Sequence, residues 1–429
     1  MMPETTITVA DLKRNQYLLL GYFLYTTFYG GLRKWVFFGN SAVGNVLFTF
    51  QLLMPFLLFY FMKREKSAFT YPFLVPYTLL LIAFALNPMN QTLFHGLFGF
   101  LQHFGFWLVM LTYVNERDLF PVEKLIPVFL VIGFGEVFFS FIQFSLPPSH
   151  VINSYINADA VDGFINDGGV RVIGTFSYIA GFGSFLFFLA MMIWALVVQN
   201  RRPLIVLLFL AVFNIISTLM NGSRSIMFPV LIFLFFGFVA SSSFFQKAKS
   251  LAIVLTLIAL GLIYNIDKQI ALAEKAFNSF AERVETGQKT GEHSERTLST
   301  FKEVTEFRGK YPLLGIGLGA TYQGATNTWG RSPELVEYGY CENEPARIVL
   351  EGGFLLFIVR LVLFGYLVMK LNIPFIFSSF IMMYVLFYSL FVFNTHHTTF
   401  VFFGLILLDK IYYLKKNPEK QEDLSLETT

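Results

Sequence analysis

The chain has 429 residues, of which 55% are hydrophobic and only 14% are charged, and its formal net charge is +3. Soluble globular chains carry about 25% charged residues, so this composition excludes an ordinary soluble protein. The lysines and arginines follow a membrane topology, described below, and therefore do not indicate a nucleic-acid partner. The single cysteine, Cys341, excludes an internal disulfide framework and a zinc site built from several cysteines.

Apolar runs of about 20 residues recur along the chain, and a helix of that length crosses the hydrocarbon core of a bilayer. We therefore predict an all-α, polytopic membrane protein. The N-terminal residues lack the order of a cleavable signal peptide, so the first run is expected to stay as a helix. The predicted transmembrane helices, about twelve in number, cover residues 17–30, 42–62, 70–86, 92–113, 123–145, 172–198, 203–220, 225–243, 249–266, 345–369, 373–393 and 398–414.

Positive charge predicts the orientation of these helices. Lysine and arginine concentrate at one set of helix ends, whereas the short loops on the other side contain only Arg33, Lys34, Arg171 and Arg224. By the positive-inside rule both termini are cytoplasmic. The predicted organisation is nine transmembrane helices in residues 1–266, an extracytoplasmic loop with short helices at 267–344 that acts as a lid, three transmembrane helices in 345–414 and a polar cytoplasmic tail at 415–429.

The long loop has predicted elements of its own. Residues 271–284 and 295–310 have helical composition, and Pro312 is expected to end the second helix because the residue before proline avoids the helical region. Glycines follow at alternate positions 315, 317 and 319. They predict a turn that lets backbone approach a ligand or another segment closely.

Arg171 and Arg224 are positive charges on the side where short loops otherwise avoid them. A guanidinium group pairs with phosphate or pyrophosphate through its planar fork, so both arginines are candidates for binding an anionic group. Snorkelling to lipid headgroups is an equally weighted alternative. Arg33 and Lys34 lie beside Trp35 in GGLRKW, a pattern that favours an aromatic-plus-cation anchor at the membrane interface.

Glu342 and Glu344 bracket Asn343 just before the tenth predicted helix. A carboxylate at the outer mouth of a helical bundle can act as a general base. The same carboxylates suit a helix N-terminus, where Pro345 is also favourable, and on spacing alone capping is preferred. Arg347 lies one helical turn further on, which allows a local ion pair.

Two charges are predicted inside the membrane, Glu136 in the fifth helix and Arg360 in the tenth. Burying either charge alone is costly, so we predict that they pair across the bundle, the alternative being that each faces a wet cavity. His95 and His103 are assigned to interior polar packing in preference to a proton path. The sequence has no Walker loop and no metal-ligand motif, so neither an ATP-driven pump nor a metal site is predicted.

Four segments, taken in order, resemble the O-antigen polymerase and O-antigen ligase superfamily of bacterial membrane glycosyltransferases. The likeness is greatest to the branch that polymerises O-antigen or exopolysaccharide repeat units. The segments are GGLRKWVF at 30–37, RVIGTFSYIAGFGSFL at 171–186, NGSRSIMFPVLIF at 221–233 and the run from Arg296 through PLLGIGLGA to ENEPARIVLEGGF at 342–354. Each is degenerate alone, and their order with one long outward loop before the tenth helix makes the resemblance specific.

The resemblance implies a metal-independent glycosyltransferase without a cofactor, at the outer face of the bacterial cytoplasmic (inner) membrane. Its donor and acceptor would be glycans linked to undecaprenyl pyrophosphate in the lipid bilayer, and a chain-length regulator is a further candidate partner. Carried over to this chain, Arg224, Arg296 and Arg171 would hold the pyrophosphate, Glu342 or Glu344 would take the acceptor's proton, and Arg33, Asn343, Arg347 and Gly317 are candidate substrate contacts.

One departure from the family bears on the branch. Ligase-type members have a His-Asn pair where this chain has Glu342 and Asn343, and that histidine is their proposed base. Its absence favours a polymerase over a ligase that moves glycan to lipid A–core or to protein, which is the first alternative. A transporter or flippase of lipid-linked glycans is the second. Such a protein is expected to have charges along a mid-depth path and two related halves, whereas here the arginines lie on one face and no half is repeated.

Overall fold

The computed structural model describes the chain in separate stretches, which are residues 8–62, 71–155, 165–166, 169–200, 203–240, 274–278, 280–281, 284–285, 313–322, 330, 344–387, 389, 391 and 394–417. The predicted helix at 249–266, the predicted loop helix at 295–310 and the tail after residue 417 lie outside these described residues.

The longer helices follow one another with short connections. They are α1 (Val9–Gly31), α2 (Ser41–Met62), α3 (Leu74–Ala85), α4 (Leu93–Asn115), α5 (Ile126–Ser145), α6 (Ile179–Gln199), α7 (Leu204–Asn221), α8 (Arg224–Ala240), α9 (Glu344–Lys370), α10 (Phe375–Phe387) and α11 (Thr395–Lys416). A π-helical turn, Leu32–Val36, follows α1. A two-residue antiparallel hairpin pairs β1 (Ile165–Asn166) with β2 (Gly169–Val170) before α6.

Apolar composition makes this a helical, polytopic membrane protein. Among the described residues, seven helical stretches are long and apolar enough to cross a membrane: α2, α4, α5 with the turns before it, α6, α7, α9 and α11. α3, α8 and α10 are apolar but shorter. Each predicted transmembrane helix that falls on described residues overlaps a helix of the structure.

One predicted boundary is wrong, and one predicted helix is interrupted. The helix predicted at 172–198 begins only at Ile179, because the preceding residues form a non-helical loop in which Gly174 has a φ of +56°. The helix predicted at 345–369 is interrupted at Gly353, whose φ of 64° and ψ of −171° lie outside the helical region. α9 therefore consists of two helical segments that meet at this glycine.

The chain divides into two compact units. Unit 1 contains Met1–Tyr22, Phe48–Pro121 and Gly287–Thr398, and unit 2 contains Phe23–Leu47, Val122–Thr286 and Thr399–Thr429. Both units combine segments that are distant in sequence, and the division into helices, lid and helices stays a prediction.

In unit 2, α6 is buried along its length and packs against α7 and α8. A cluster of phenylalanines fills the space beside it, with Phe23 at 4.4 Å from Phe129, 5.2 Å from Phe188 and 5.3 Å from Phe403 between ring centres. Because lipid tails are as apolar as phenylalanine, close packing rather than transfer from water stabilises this core.

In unit 1, α3 packs against α4, and α9 packs against α10. The first segment of α9 also packs against residues 313–322, hereafter the glycine turn, through a buried cluster of Ile316, Ala320, Ala346, Val349 and Leu350. This arrangement brings the sequence PLLGIGLGA against EPARIVLEGG.

Candidate functional site

Arg171 fastens the loop before α6 to the end of α7, within unit 2. Its Nε donates to the carbonyl of Asn221 at 3.0 Å, and a terminal nitrogen donates to the carbonyl of Gly222 at 3.2 Å. These carbonyls lie at the C-terminus of α7, where the helix dipole favours a cation. Arg171 is therefore bound to the turn that leads into Arg224.

The turn between α7 and α8 is formed by the sequence NGS. Gly222 ends α7 with a φ of +67°, the left-handed conformation that glycine adopts at helix C-termini. The side-chain nitrogen of Asn221 donates to the carbonyls of Val172 and Ile179 at 2.9 and 3.2 Å. Since α8 starts at Arg224, the RVIGT and NGSRS segments form one hydrogen-bonded structure.

Side chains of α5 bind the backbone of residues 173–175. The carbonyl oxygen of the Gln143 side chain accepts from the N–H groups of Ile173 and Gly174 at 3.2 and 2.8 Å. Glu136 accepts from the N–H of Thr175 at 3.1 Å and from its hydroxyl at 2.6 Å. Backbone outside helices must find such partners in a membrane, because no water satisfies it there. These bonds explain why α6 begins late.

Lys34 reaches the same loop from the π-helical turn. Its Nζ donates to the carbonyl of Gly174 at 3.3 Å and lies 4.4 Å from the centre of the Trp35 ring. Burial lowers the pKa of Lys34 to about 7, and the charge of Glu136 opposes this effect. Gly30 permits the approach, since a Cβ there would lie 2.6 Å from the backbone nitrogen of Ser177. The predicted interface anchor is therefore wrong for Lys34, whose side chain is only 5% exposed.

Arg33 lies beside Lys34 but is half-buried. Its guanidinium group packs against Gly44 near the start of α2, where a Cβ would lie 2.5 Å from Nε. Within the described part of the chain, Nε has no hydrogen-bond partner. Its predicted contact with a substrate stays a prediction.

The predicted pair of Glu136 with Arg360 is wrong. Glu136 is bound by Thr175 in unit 2, whereas Arg360 is bound by His103 in unit 1. Glu136 thus binds the non-helical loop before α6, whereas Arg360 binds a histidine of α4. His103 is interior polar packing, as predicted.

The glycine turn lies directly on the backbone of neighbouring helices in unit 1. The N–H groups of Ile316 and Gly317 donate to the carbonyls of Leu350 and Glu351 at 2.8 and 3.0 Å. Gly319 has a φ of +77°, and a Cβ on it would lie 2.1 Å from the carbonyl oxygen of His95. The prediction that these glycines allow another segment to approach closely is confirmed, and the segments are α4 and α9.

Glu351 holds the turn through a fully buried carboxylate. One oxygen accepts from the N–H of Gly319 at 2.8 Å and from Nε2 of His103 at 2.9 Å. The other accepts from the N–H and the hydroxyl of Thr321 at 3.0 and 2.5 Å. Four donors on one carboxylate offset the cost of burying its charge.

The hydrogen bonds of His103 define which of its nitrogens carries the proton. A terminal nitrogen of Arg360 lies 2.8 Å from Nδ1, and because guanidinium only donates, Nδ1 must accept. Nε2 therefore carries the hydrogen that it donates to Glu351. The result is a buried chain from guanidinium through neutral imidazole to carboxylate, with Arg360 also 5.2 Å from the centre of the Trp107 ring.

The remaining predicted residues in this unit are buried. Glu344 is the first residue of α9, is 1% exposed and interacts electrostatically with Arg360. Arg347 is 4% exposed on the same helical segment. Gly317 is buried, and a Cβ there would lie 2.7 Å from the side chain of Asn90. Burial favours a structural role for Glu344 and Gly317, and their predicted chemical roles stay predictions.

Several predicted site residues cannot be placed. Arg296, Glu342 and Asn343 lie outside the described residues, and for Arg224 the structure describes the backbone at the start of α8 but not the side chain. The structure therefore brings Arg171 to the backbone that carries Arg224. It does not test the predicted pyrophosphate site as a whole.

Sequence reasoning missed Gln143, Thr175 and Glu351 as organising residues. Glu351 carried a signal that could have been used, since an ionisable residue in a predicted transmembrane helix is costly without a partner. Gln143 and Thr175 carried none, because their role depends on a loop where a helix was predicted.

Comparison of the chain with protein-family models, with curated proteins and with solved structures finds no match. The fold and the two polar clusters thus define the class of protein, a helical polytopic membrane protein with irregular segments held by buried side chains.

Proposed function

We propose that the chain is a membrane glycosyltransferase. It polymerises oligosaccharide repeat units linked to undecaprenyl pyrophosphate into O-antigen or exopolysaccharide at the outer face of the cytoplasmic membrane. The proposal includes about twelve transmembrane helices with both termini in the cytoplasm. It rests on the ordered resemblance of the four segments to the polymerase branch of the superfamily.

One observation supports the proposal most strongly. The guanidinium group of Arg171 binds the carbonyls of Asn221 and Gly222, so two segments that resemble the family meet at the start of α8. Two of the arginines proposed for the pyrophosphate are thereby carried on one hydrogen-bonded piece of backbone. Arginine suits this role because its charge is permanent and its donors form a planar fork.

The proposed reaction makes few demands on the protein. The hydroxyl oxygen of the acceptor attacks the anomeric carbon of the donor's reducing-end sugar, and the bond from that carbon to the pyrophosphate oxygen breaks. Undecaprenyl pyrophosphate leaves with the electron pair, and the hydroxyl proton passes to a carboxylate. The protein positions the two glycans, stabilises the negative charge on the leaving group and accepts one proton.

The carboxylate that accepts the proton is proposed to be Glu342 in preference to Glu344. Glu344 is almost fully buried and interacts with Arg360, which accounts for it without a catalytic role. Glu342 is the position that corresponds to the histidine of ligase-type members, by the resemblance described above.

A transporter receives less support. Transport would need charged groups along a path at mid-depth, whereas the buried charges of Glu351 and Arg360 are joined through the neutral His103 and hold a turn. A ligase would transfer the same donor to a different acceptor, and the acceptor found in a reaction distinguishes the two.

Replacing Arg224 tests the proposal. We expect Arg224→Ala to reduce polymer by about 100-fold, the loss typical of removing one group that stabilises developing charge, and to accumulate single repeat units on the lipid carrier. Arg14→Ala is the matched control, since Arg14 makes an exposed ion pair with Asp11 at the predicted cytoplasmic end. Repeat units that stay single with the wild-type protein would refute the proposed function. Polymer of normal length and amount from Arg224→Ala, at equal protein level, would refute the proposed role of Arg224.

A further inference from the structure

Two buried glutamines in unit 1 have amide atoms without a hydrogen-bond partner among the described residues. Gln102 of α4 is 4% exposed, and among the described residues neither its amide nitrogen nor its amide oxygen has a hydrogen-bond partner. Gln51 of α2 is 1% exposed, and its nitrogen likewise lacks a partner within the described stretches. Only the oxygen of Gln51 is bound, by the hydroxyl of Thr395 at 3.1 Å.

Unsatisfied amides of this kind are costly. An amide moved from water to an apolar environment without a compensating hydrogen bond loses about 1–3 kcal/mol in proteins. The loss is avoided at Gln143, another fully buried glutamine of this chain, whose amide makes hydrogen bonds at both ends. The contrast indicates that Gln51 and Gln102 serve something other than the stability of the fold.

Gln51 and Gln102 lie at the same level on the sides of α2 and α4 that face each other. Phe48 of α2 is 6.3 Å from Phe98 of α4 between ring centres. About two turns later in each helix, a Cβ added to Gly105 would lie 3.1 Å from the ring of Pro55. These contacts define the facing sides of α2 and α4. Gln51 and Gln102 each lie about one turn from both contacts, on those facing sides.

Aromatic rings lie next to the amides. Phe48, Phe98 and Tyr322 form a cluster of three half-buried rings, with centres 5.7 to 6.3 Å apart and planes within 19° of parallel. Phe48 and Phe98 precede the glutamines by one turn towards the N-termini of their helices. Tyr322 ends the glycine turn, next to the Thr321 that Glu351 binds.

Paired amides beneath half-exposed, nearly parallel rings suit one kind of ligand. An amide offers both donors and acceptors without charge, as a hydroxyl group does. A flat ring packs against the C–H groups of a pyranose face, and sites for small ligands combine such apolar surfaces with a few polar groups. A phosphate would require cations, and an isoprenoid would leave the amides unsatisfied.

We propose that Gln51 and Gln102, with the ring cluster of Phe48, Phe98 and Tyr322, form a binding site for an uncharged sugar ring. The choice of a sugar as the ligand rests on the proposed function. The site would hold one glycosyl unit of a lipid-linked glycan by hydrogen bonds from its hydroxyl groups to the two amides.

The first test compares the melting temperatures of two variants in which a buried glutamine is replaced by leucine. In Gln102→Leu the lost amide makes no bond to the described protein, so we expect the melting temperature of the purified protein to be unchanged or raised. In Gln143→Leu, the matched control, a bonded amide is removed, and we expect the melting temperature to fall. A fall in Gln102→Leu as large as that in Gln143→Leu would overturn the proposal.

Binding is measured on the intact protein in detergent by saturation-transfer NMR. The probes are the methyl glycosides of glucose, galactose, mannose, rhamnose and N-acetylglucosamine. We expect at least one glycoside to show a saturation-transfer signal with the wild-type protein. With Gln102→Leu and with Phe48→Ala, we expect that signal to fall at least five-fold. The absence of transfer to all five glycosides, which is expected if the amides bind only water, would overturn the site. Equal transfer from the wild type and the variants would overturn it as well.

The experiments can refute the sugar site and the proposed function independently of each other. If polymer forms and depends on Arg224, but no glycoside binds, the sugar site is wrong and the proposed function stands. If a glycoside binds through Gln102 but the purified protein forms no longer glycan from lipid-linked repeat units, the site stands and the proposed function is wrong.

Discussion

At the scale of single residues, the molecule depends on buried charges whose partners lie on irregular backbone. Glu351 accepts four hydrogen bonds from the glycine turn and His103, and Glu136 accepts two from Thr175. In both places a carboxylate on a helix accepts hydrogen bonds from backbone N–H groups of a non-helical segment, which in a helix would bond to backbone carbonyls. Such residues should be sensitive to small chemical changes that leave their size alone.

Glu351→Gln tests this at the most strongly bound carboxylate. The amide nitrogen would face hydrogen-bond donors, and Arg360 would lose the carboxylate that lies beyond His103. Breaking a buried charge pair costs about 3–5 kcal/mol, so we expect a loss of that order in the free energy of unfolding, measured by denaturation in detergent micelles.

A double-mutant cycle provides the control. Because Glu351 and Arg360 share His103 as a partner, we expect the double variant Glu351→Gln, Arg360→Met to lose about 1–3 kcal/mol less than the sum of the single variants. Strict additivity would mean that the chain from guanidinium to carboxylate is not energetically coupled.

Lys34 predicts a dependence of stability on pH. Its pKa is lowered to about 7 by burial, whereas an unfolded lysine has a pKa near 10.4. Between pH 7 and about 10 the unfolded chain binds more protons at this position than the folded protein, so stability rises with pH there. Below pH 7 both states are protonated, and this contribution does not change further.

Melting temperatures of wild type and Lys34→Met at pH 6, 7, 8 and 9 measure the effect. Above pH 7 we expect the stability of the wild type to rise relative to that of the variant, by at most about 1.4 kcal/mol of unfolding free energy per pH unit. Below pH 7 we expect the difference between their melting temperatures to stay constant. Lys13→Met, which changes an exposed lysine, should follow the wild type throughout. A constant difference between wild type and Lys34→Met from pH 6 to 9 would contradict the buried position of Lys34.

At the scale of elements, the break in α9 is the feature with the clearest physical cause. Gly353 has a φ of +64°, and a Cβ on it would lie 2.1 Å from the carbonyl oxygen of Leu313. The helix therefore bends where the glycine turn crosses it.

Gly353→Ala and Gly365→Ala make a matched pair in one helix. A side chain at Gly353 adds backbone strain of about 1–3 kcal/mol as well as the clash, so we expect severe loss of folded protein. At Gly365 nothing described lies within 4 Å of an added Cβ, and alanine is the better helix former by about 1 kcal/mol. Comparison by size-exclusion chromatography and melting temperature checks this, and equal behaviour of the two variants would contradict the described break.

The sequence predicts elements better than it predicts their interruptions. Apolar runs located nearly every described helix, because length and apolarity are what a membrane requires. They could not show that residues 172–178 are not helical, since VIGTFSY is as apolar as a helix and its structure depends on Gln143 and Glu136. The alternate glycines did predict a close approach, and Glu351 was visible as an ionisable residue in a predicted transmembrane helix. Their pairing could not be predicted, because hydrogen bonds between distant segments leave no pattern in a single sequence.

At the scale of the whole molecule, orientation in the membrane is a prediction from charge alone. Cys341 is the only cysteine of the chain and lies in the predicted extracytoplasmic loop. We expect a membrane-impermeant maleimide to label it in spheroplasts without permeabilisation, and Cys341→Ser to remove the labelling. Labelling that requires permeabilisation would reverse the predicted orientation and exclude an outward-facing reaction.

The central claim is that this membrane protein joins lipid-linked glycans. The most direct measurement reconstitutes the purified protein into liposomes with undecaprenyl-pyrophosphate-linked repeat units and follows both glycan length and released carrier. We expect longer glycans, with one undecaprenyl pyrophosphate released for each bond formed, and neither product with Arg224→Ala. Repeat units that stay single while their carrier crosses the bilayer would contradict the claim and indicate a transporter.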